Sequence, residues 1–173
     1  MKARILVWLV ALFCCHNVLF AQKEFVNASA RLSGHPRILL QKGEEKALKK
    51  VIMKDAVWKD IHQSLVDEAG EIVKLPLNER IKTGRRLLSV SRENLRRIFI
   101  LSYAYRMTGK NEFLKRAESE MLKAASFSDW NPSHFLDVGE MTMALAIGYD
   151  WLYPQLSVQT KKEIENAIVE KGL

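Results

Sequence analysis

The sequence predicts an all-α fold on three observations. Apolar residues recur at three- and four-residue spacing in five or six segments of helical length. Proline, glycine and small polar residues fall between those segments, where they break helices. No stretch alternates apolar and polar residues as a half-buried strand does, and no strand–turn–strand signal occurs.

The elements follow in order. His35-Pro36-Arg37-Ile38-Leu39-Leu40 is an extended entry, because Pro36 disfavours helix at His35. A first helix is expected over about 42–53, with Leu48, Val51 and Ile52 inward. A second starts near Asp55, a capping residue, and carries Val57, Trp58, Ile61, Leu65, Ala69, Ile72 and Val73 on one face until Pro76 ends it. Thr83-Gly84 marks a break, and Ser91 reads as the N-cap of a third helix over 92–107. Leu95, Ile98, Phe99, Ser102, Tyr103 and Arg106 trace its face, and Gly109 closes it. A fourth helix covers about 111–125, with Phe113, Leu114, Ala117, Met121 and Leu122 inward. A loop around Trp130-Asn131-Pro132 leads to a fifth over 136–152, so apolar that it must be buried on most sides. Pro154 stops it, and Ser157 caps the last helix, which runs to about Lys171.

Residues 1–21 read as an export signal. Lys2 and Arg4 precede an apolar run from Ile5 to Phe13 that resumes at Val18-Leu19-Phe20, and Ala21 supplies a small residue at the cut. Residues 22–34 read as a flexible leader containing the sequon Asn27-Ala28-Ser29. Both cysteines, Cys14 and Cys15, fall within the signal, so the mature chain has no disulfide framework and no thiolate metal site. The expected location is periplasmic or secreted, with no membrane association after cleavage. The net charge is +7, and removing Lys2 and Arg4 with the signal leaves +5 (7 − 2), which on an exported chain points to acidic surfaces or acidic glycans and away from nucleic acid.

The loop 127–137 is the stretch richest in binding chemistry, since polar and aromatic residues on a helical scaffold suit recognition. Trp130 has the ring to stack on a sugar, and Asn131 and His134 have the groups to hydrogen-bond hydroxyls or a carboxylate. Competing with this, Trp130 and Phe135 would plug the core and Asp137 would cap the fifth helix. Glu140, three residues on, pairs with Asp137 either for acid–base work or as a first-turn acid favoured by the helix dipole. Tyr149, in Tyr149-Asp150-Trp151-Leu152-Tyr153, is a candidate groove residue or a core aromatic. A basic cluster of Arg80, Lys82, Arg85, Arg86, Arg92, Arg96 and Arg97 suits carboxylates and sulfates, with Glu79 and Glu93 as local partners in the alternative reading. The substrate-binding candidates are therefore Trp130, Asn131, His134, Tyr149, Arg85 and Arg86. No HExxH, phosphate-cradling glycine loop or GxSxG occurs, and His35, His62 and His134 lack metal-ligand spacing. No cofactor and no metal is expected.

Several stretches together resemble the bacterial heparinase II/III-like polysaccharide lyases. They are His35-Pro36-Arg37-Ile38-Leu39-Leu40, Arg92-Glu93-Asn94-Leu95-Arg96-Arg97-Ile98, and Leu101-Ser102-Tyr103-Ala104-Tyr105-Arg106-Met107-Thr108-Gly109. Most specific is Trp130-Asn131-Pro132-Ser133-His134-Phe135-Leu136-Asp137 running into Ala144-Leu145-Ala146-Ile147-Gly148-Tyr149-Asp150-Trp151-Leu152-Tyr153. The resemblance spans residues 35–173 and implies the N-terminal part of an incomplete (α/α) toroid, truncated here. It also implies cleavage of uronate-containing, heparin-like polysaccharides by β-elimination. The catalytic asparagine or histidine motif and tyrosine it implies would follow Leu173, so no catalytic residue is carried over and this chain alone is expected to be inactive. An exposed apolar edge and weak stability are expected with it, because a toroid closes only with several helix pairs. The alternatives are a non-catalytic glycan-binding protein and a helical-repeat interaction module. For the latter, Leu101-Ser102-Tyr103-Ala104 and Phe113-Leu114-Lys115-Arg116-Ala117 have the flavour, but the 34-residue period does not recur.

Overall fold

The computed structural model describes residues 34–173; the expected signal, the leader up to residue 33, the sequon and both cysteines lie outside the described residues. The described chain forms α1 (Glu45–Lys54), α2 (Ala56–Lys74), α3 (Leu88–Thr108), α4 (Asn111–Ala125), α5 (Phe135–Leu152) and α6 (Val158–Gly172). The fold is all-α, and no β-strand forms among the described residues. None of the described helices is long and apolar enough to cross a membrane.

Local chemistry sets most of the boundaries. The Asp55 carboxylate accepts the N–H groups of Val57 and Trp58 and opens α2, and the Ser157 hydroxyl accepts Thr160 N–H and opens α6. Gly109 takes a left-handed φ of 75° and closes α3 through its N–H to Tyr105 O, a conformation that costs glycine little. Leu75, just before Pro76, ends α2 in extended geometry. One boundary differs from the sequence reading. The third helix starts at Leu88 rather than after Ser91, and Ser91 lies buried inside its first turn, donating to Leu88 O and to Glu140.

Pairings along the helices give two layers. Leu87 meets Asp137, Ser91 meets Glu140, Asn94 meets Met141 and Phe99 meets Trp151, so α3 and α5 run parallel. His62 with Tyr103 and Glu68 with Arg96 set α2 antiparallel to α3. Tyr149 with Glu165, and Gly172 beside Thr142, set α6 antiparallel to α5. Thr160 with Glu118, and Lys171 with the carbonyls of Ala125 and Phe127, align α6 with α4. Helices α3 and α5 thus form one layer, with the most extensive mutual contact, and α2, α4 and α6 form the other.

The core lies between the layers, built on Ile72, Ile98, Leu101, Phe113, Met121, Met141, Leu145 and Ile164. Helix α5 is apolar nearly all round because α3, α4 and α6 all contact it. Gly148 sits at its closest crossing, where a Cβ would come within 2.5 Å of both Ile98 Cγ2 and Met121 Sδ. The apolar face of α2 is only partly covered. Ala69 and Ile72 are buried, but Val57, Trp58 and Ile61 at its start are exposed, as are Val51 and Met53 on α1.

Much of the expected basic cluster is spent on structure. Arg97 donates to Pro76 O, Glu93 and the fully buried Glu120, and Arg116 donates to Glu120 and to the carbonyls of Val73, Leu75 and Pro76. Arg96 pairs with Glu93 and Glu68. This ladder fixes the chain leaving α2, whose carbonyls have no ladder partner of their own.

Candidate functional site

The parallel course of α3 and α5 brings their N-termini to one end of the molecule, where the loops 76–87 and 126–134 meet. Asp137, in the first turn of α5, organises the junction. Its fully buried carboxylate accepts Leu87 N–H at 2.7 Å, Asn131 Nδ2 at 2.6 Å and His134 Nδ1 at 3.0 Å. Burial pushes this carboxyl up, but the three hydrogen bonds outweigh it and hold the group below the usual aspartate range. Asp137 therefore stays charged and forces His134 to carry its proton on Nδ1, leaving Nε2 as the free nitrogen. Of the two sequence readings of Asp137, the cap of its own helix is not realised, since that helix has no side-chain cap; its longest-range bond goes to Leu87, the residue just before α3.

The loop is locked around this carboxylate. Asn131 adopts a left-handed φ of 61°, donates Nδ2 to Arg85 O at 2.9 Å and accepts from Ser133 Oγ. Asp129 receives Asn131 N–H and is gripped by Arg80, whose Nε donates to Asp129 O and whose Nη2 pairs with Oδ1 at 2.6 Å. Partial burial pushes the Asp129 carboxyl up, but the bond from Arg80 Nη2, the Asn131 N–H and the guanidinium charge together hold it below the usual aspartate range. On the facing loop, Thr83 and Arg86 close a two-residue turn by mutual backbone hydrogen bonds, with Gly84 at φ 60°. Arg85 lies within that turn.

The sequence candidates separate accordingly. Arg85, Arg86, Asn131 and His134 converge here. Lys82, Arg85 and Arg86 are exposed, and none forms an ion pair among the described residues. Arg92 is also exposed but pairs with Glu140 at 3.1 Å. Asn131 is buried and acts as a tie between the loops rather than as an open ligand group. Trp130 is 0% exposed, and its indole N–H donates to Ala124 O at 3.0 Å, so its ring fills the core and presents no face to a sugar. Phe135, which the core-plug reading placed inside beside Trp130, is 77% exposed.

Tyr149 belongs to the other end of α5, fifteen residues and roughly 22 Å of helix rise from His134. Its hydroxyl donates to Glu165, and burial, with that carboxylate, raises its pKa well above the ordinary tyrosine value. A second buried carboxylate, Asp150, accepts His35 Nδ1 at 2.5 Å and the N–H groups of Arg37 and Ile38. His35 stacks on Tyr153 with centroids 4.0 Å apart. A cleft of about 430 Å³ lies beside it, lined in part by Lys42, Glu45, Arg106 and Trp151. The guanidinium of Arg106 is already committed to Glu45 and to the carbonyls of Leu40 and Gln41.

No group of three or more metal-ligating side chains occurs among the described residues. No protein-family model matches the chain, and no curated protein matches it.

Proposed function

We propose that this chain is the helical part of an exported polysaccharide lyase of the heparinase II/III-like kind, arranged as part of an (α/α) toroid. In this reading it binds the uronate polymer at the shared N-terminal end of α3 and α5. The observation that carries the proposal is the grouping of Lys82, Arg85 and Arg86, exposed and without ion-pair partners among the described residues, beside a loop locked by Asp137. Arginine forks match carboxylate and sulfate oxygens two at a time. The two-layer alternation of parallel α3 and α5 with antiparallel α2, α4 and α6 supports the toroid. The sequence stretches around 35–40, 92–109 and 130–153 support the lyase family. The elimination step is assigned to no residue of this chain.

The test is affinity electrophoresis of the full chain through gels containing heparin, alginate or polygalacturonate. Wild type is expected to be retarded, less so at high salt, because exposed charges are screened. Arg85→Ala with Arg86→Ala is expected to weaken binding about tenfold at low salt. Equal retardation of wild type and the double variant would remove the site. The non-catalytic interaction-module reading draws on a different surface, the exposed Val57, Trp58 and Ile61 of α2. Trp58→Ala would disturb that mode and leave glycan binding intact.

A further inference from the structure

We propose that Phe135 is the ring-stacking residue of a sugar subsite at this end of the molecule, with His134 Nε2 as its neighbouring hydrogen-bonding atom. The inference rests on the acidic-glycan reading above and adds what would make the surface select sugars rather than any polyanion.

The argument starts from how completely the loop before Phe135 is fixed. Trp130 is anchored in the core by its indole bond to Ala124 O. Asp129 and Asn131 are each held by side chain and backbone. His134 N–H donates to Asn131 O, and Asp137 N–H donates to His134 O. The His134 ring is oriented by Asp137, which is fixed in turn by Leu87 and Asn131. The polar groups of this short loop are thus largely satisfied internally, and the groups left facing solvent are few. Besides Ser128, Pro132 and Ser133, they are the Phe135 ring at 77% exposure, Leu136 at 50%, and the partly exposed His134 with Nε2 unbonded among the described residues.

An exposed aromatic alone is ordinary. Here it stands on the first residue of a rigid helix, next to an imidazole whose tautomer is set, and on the loop that Asn131 ties to the backbone of Arg85, whose side chain and that of Arg86 are exposed and without ion-pair partners among the described residues. A pyranose has an apolar face of C–H bonds, an edge of hydroxyls and, in a uronate, one carboxylate. An aromatic ring covers the first, an imidazole nitrogen meets the second, and an arginine fork takes the third. Such a site needs little reordering on binding, because its supports already hold it. The ligand class this combination fits is a uronic acid residue within a polymer.

The experiment compares two polyanions, heparin and polyglutamate, against the full chain by isothermal titration at low salt. Phe135 makes no contact in the Asp137 network, so Phe135→Ala should keep the wild-type melting temperature. It is expected to lose about tenfold in affinity for heparin and to leave polyglutamate binding unchanged. Phe135→Trp, which keeps a larger ring, is expected to retain heparin affinity. The Arg85→Ala, Arg86→Ala double variant should weaken both ligands alike. Unchanged heparin binding in Phe135→Ala, alongside weakened binding in the arginine variant, would overturn the subsite and leave the cationic surface standing. No effect of the arginine variant on either ligand would overturn both.

Discussion

Asp137 accepts the backbone N–H of Leu87 at 2.7 Å across fifty residues of chain, and through this bond the start of α3 depends on the first turn of α5. The residue that opens α3 has no side-chain cap of its own. A carboxylate from another helix receives the N–H of the cap residue itself, as a capping-box glutamate does within a single helix, and it also holds Asn131 and His134.

Asp137→Asn is therefore expected to destabilise the fold by about 2–3 kcal/mol, although it is nearly isosteric. The amide replaces an acceptor oxygen with two N–H donors and aims them at donors already present. Urea denaturation of the variant against wild type measures this. A loss below about 0.5 kcal/mol would mean that the network adds little, as is usual for surface substitutions.

Acid stability follows from the same group and from Glu93. Arg96, the strongest influence, and Arg97 hold the Glu93 carboxyl at about 2 despite partial burial. Both carboxyls thus have folded pKa values below the ordinary range. The stability they contribute is present above about pH 4, near their unfolded values, and is lost as pH falls through the folded ones. The melting temperature is expected to drop between about pH 4 and pH 2. Glu93→Gln should flatten part of that drop, and a pH-independent melting temperature across the window would contradict it.

Gly148→Ala should destabilise, although alanine is the better helix former. The added methyl meets Ile98 Cγ2 and Met121 Sδ at 2.5 Å. Methionine can shift, but a β-branched isoleucine in a helix has little freedom. A net loss of about 1–2 kcal/mol is expected after the propensity gain. A rise in stability would show that the α3–α5 crossing is looser than its contacts indicate.

Two aromatic substitutions separate structure from recognition. Trp130→Phe should cost about 2 kcal/mol, through the lost bond to Ala124 O and the space left behind, while glycan affinity stays as in wild type. Tyr149→Phe, at the opposite end of α5, should also leave affinity unchanged. A tenfold loss of binding in a stable Tyr149→Phe protein would move the binding surface to the Asp150 end.

Most helices were legible because local chemistry sets them. Asp55, Ser157 and Gly109 mark boundaries by hydrogen bonds to nearby backbone, and Pro76 by the extended geometry it imposes on Leu75. Ser91 misled because the group that fixes the start of α3 comes from residue 137, and a serine inside a first turn looks the same in sequence as one at a cap. The periodicity through Val57, Trp58 and Ile61 correctly describes a helix, yet periodicity reports a face and not whether anything covers it. The core-plug reading held for Trp130 and failed for Phe135 for the same reason, since composition does not say whether an aromatic beside a loop is covered. The basic cluster was visible as a cluster, but its division into ladder arginines and free ones required the positions of Glu93, Glu120 and Glu140.

Helix α5 carries a buried aspartate near each end, Asp137 tied to the segment at Leu87 and Asp150 tied to Arg37 and Ile38. Both anchored segments lie earlier in the chain than the helix that anchors them. During synthesis from the N-terminus, residues 35–38 and 85–87 leave the ribosome before either carboxylate exists to receive their amides. Their final placement must wait until α5 has emerged, so a pause in translation before residue 150 leaves two earlier stretches unfastened and open to proteases.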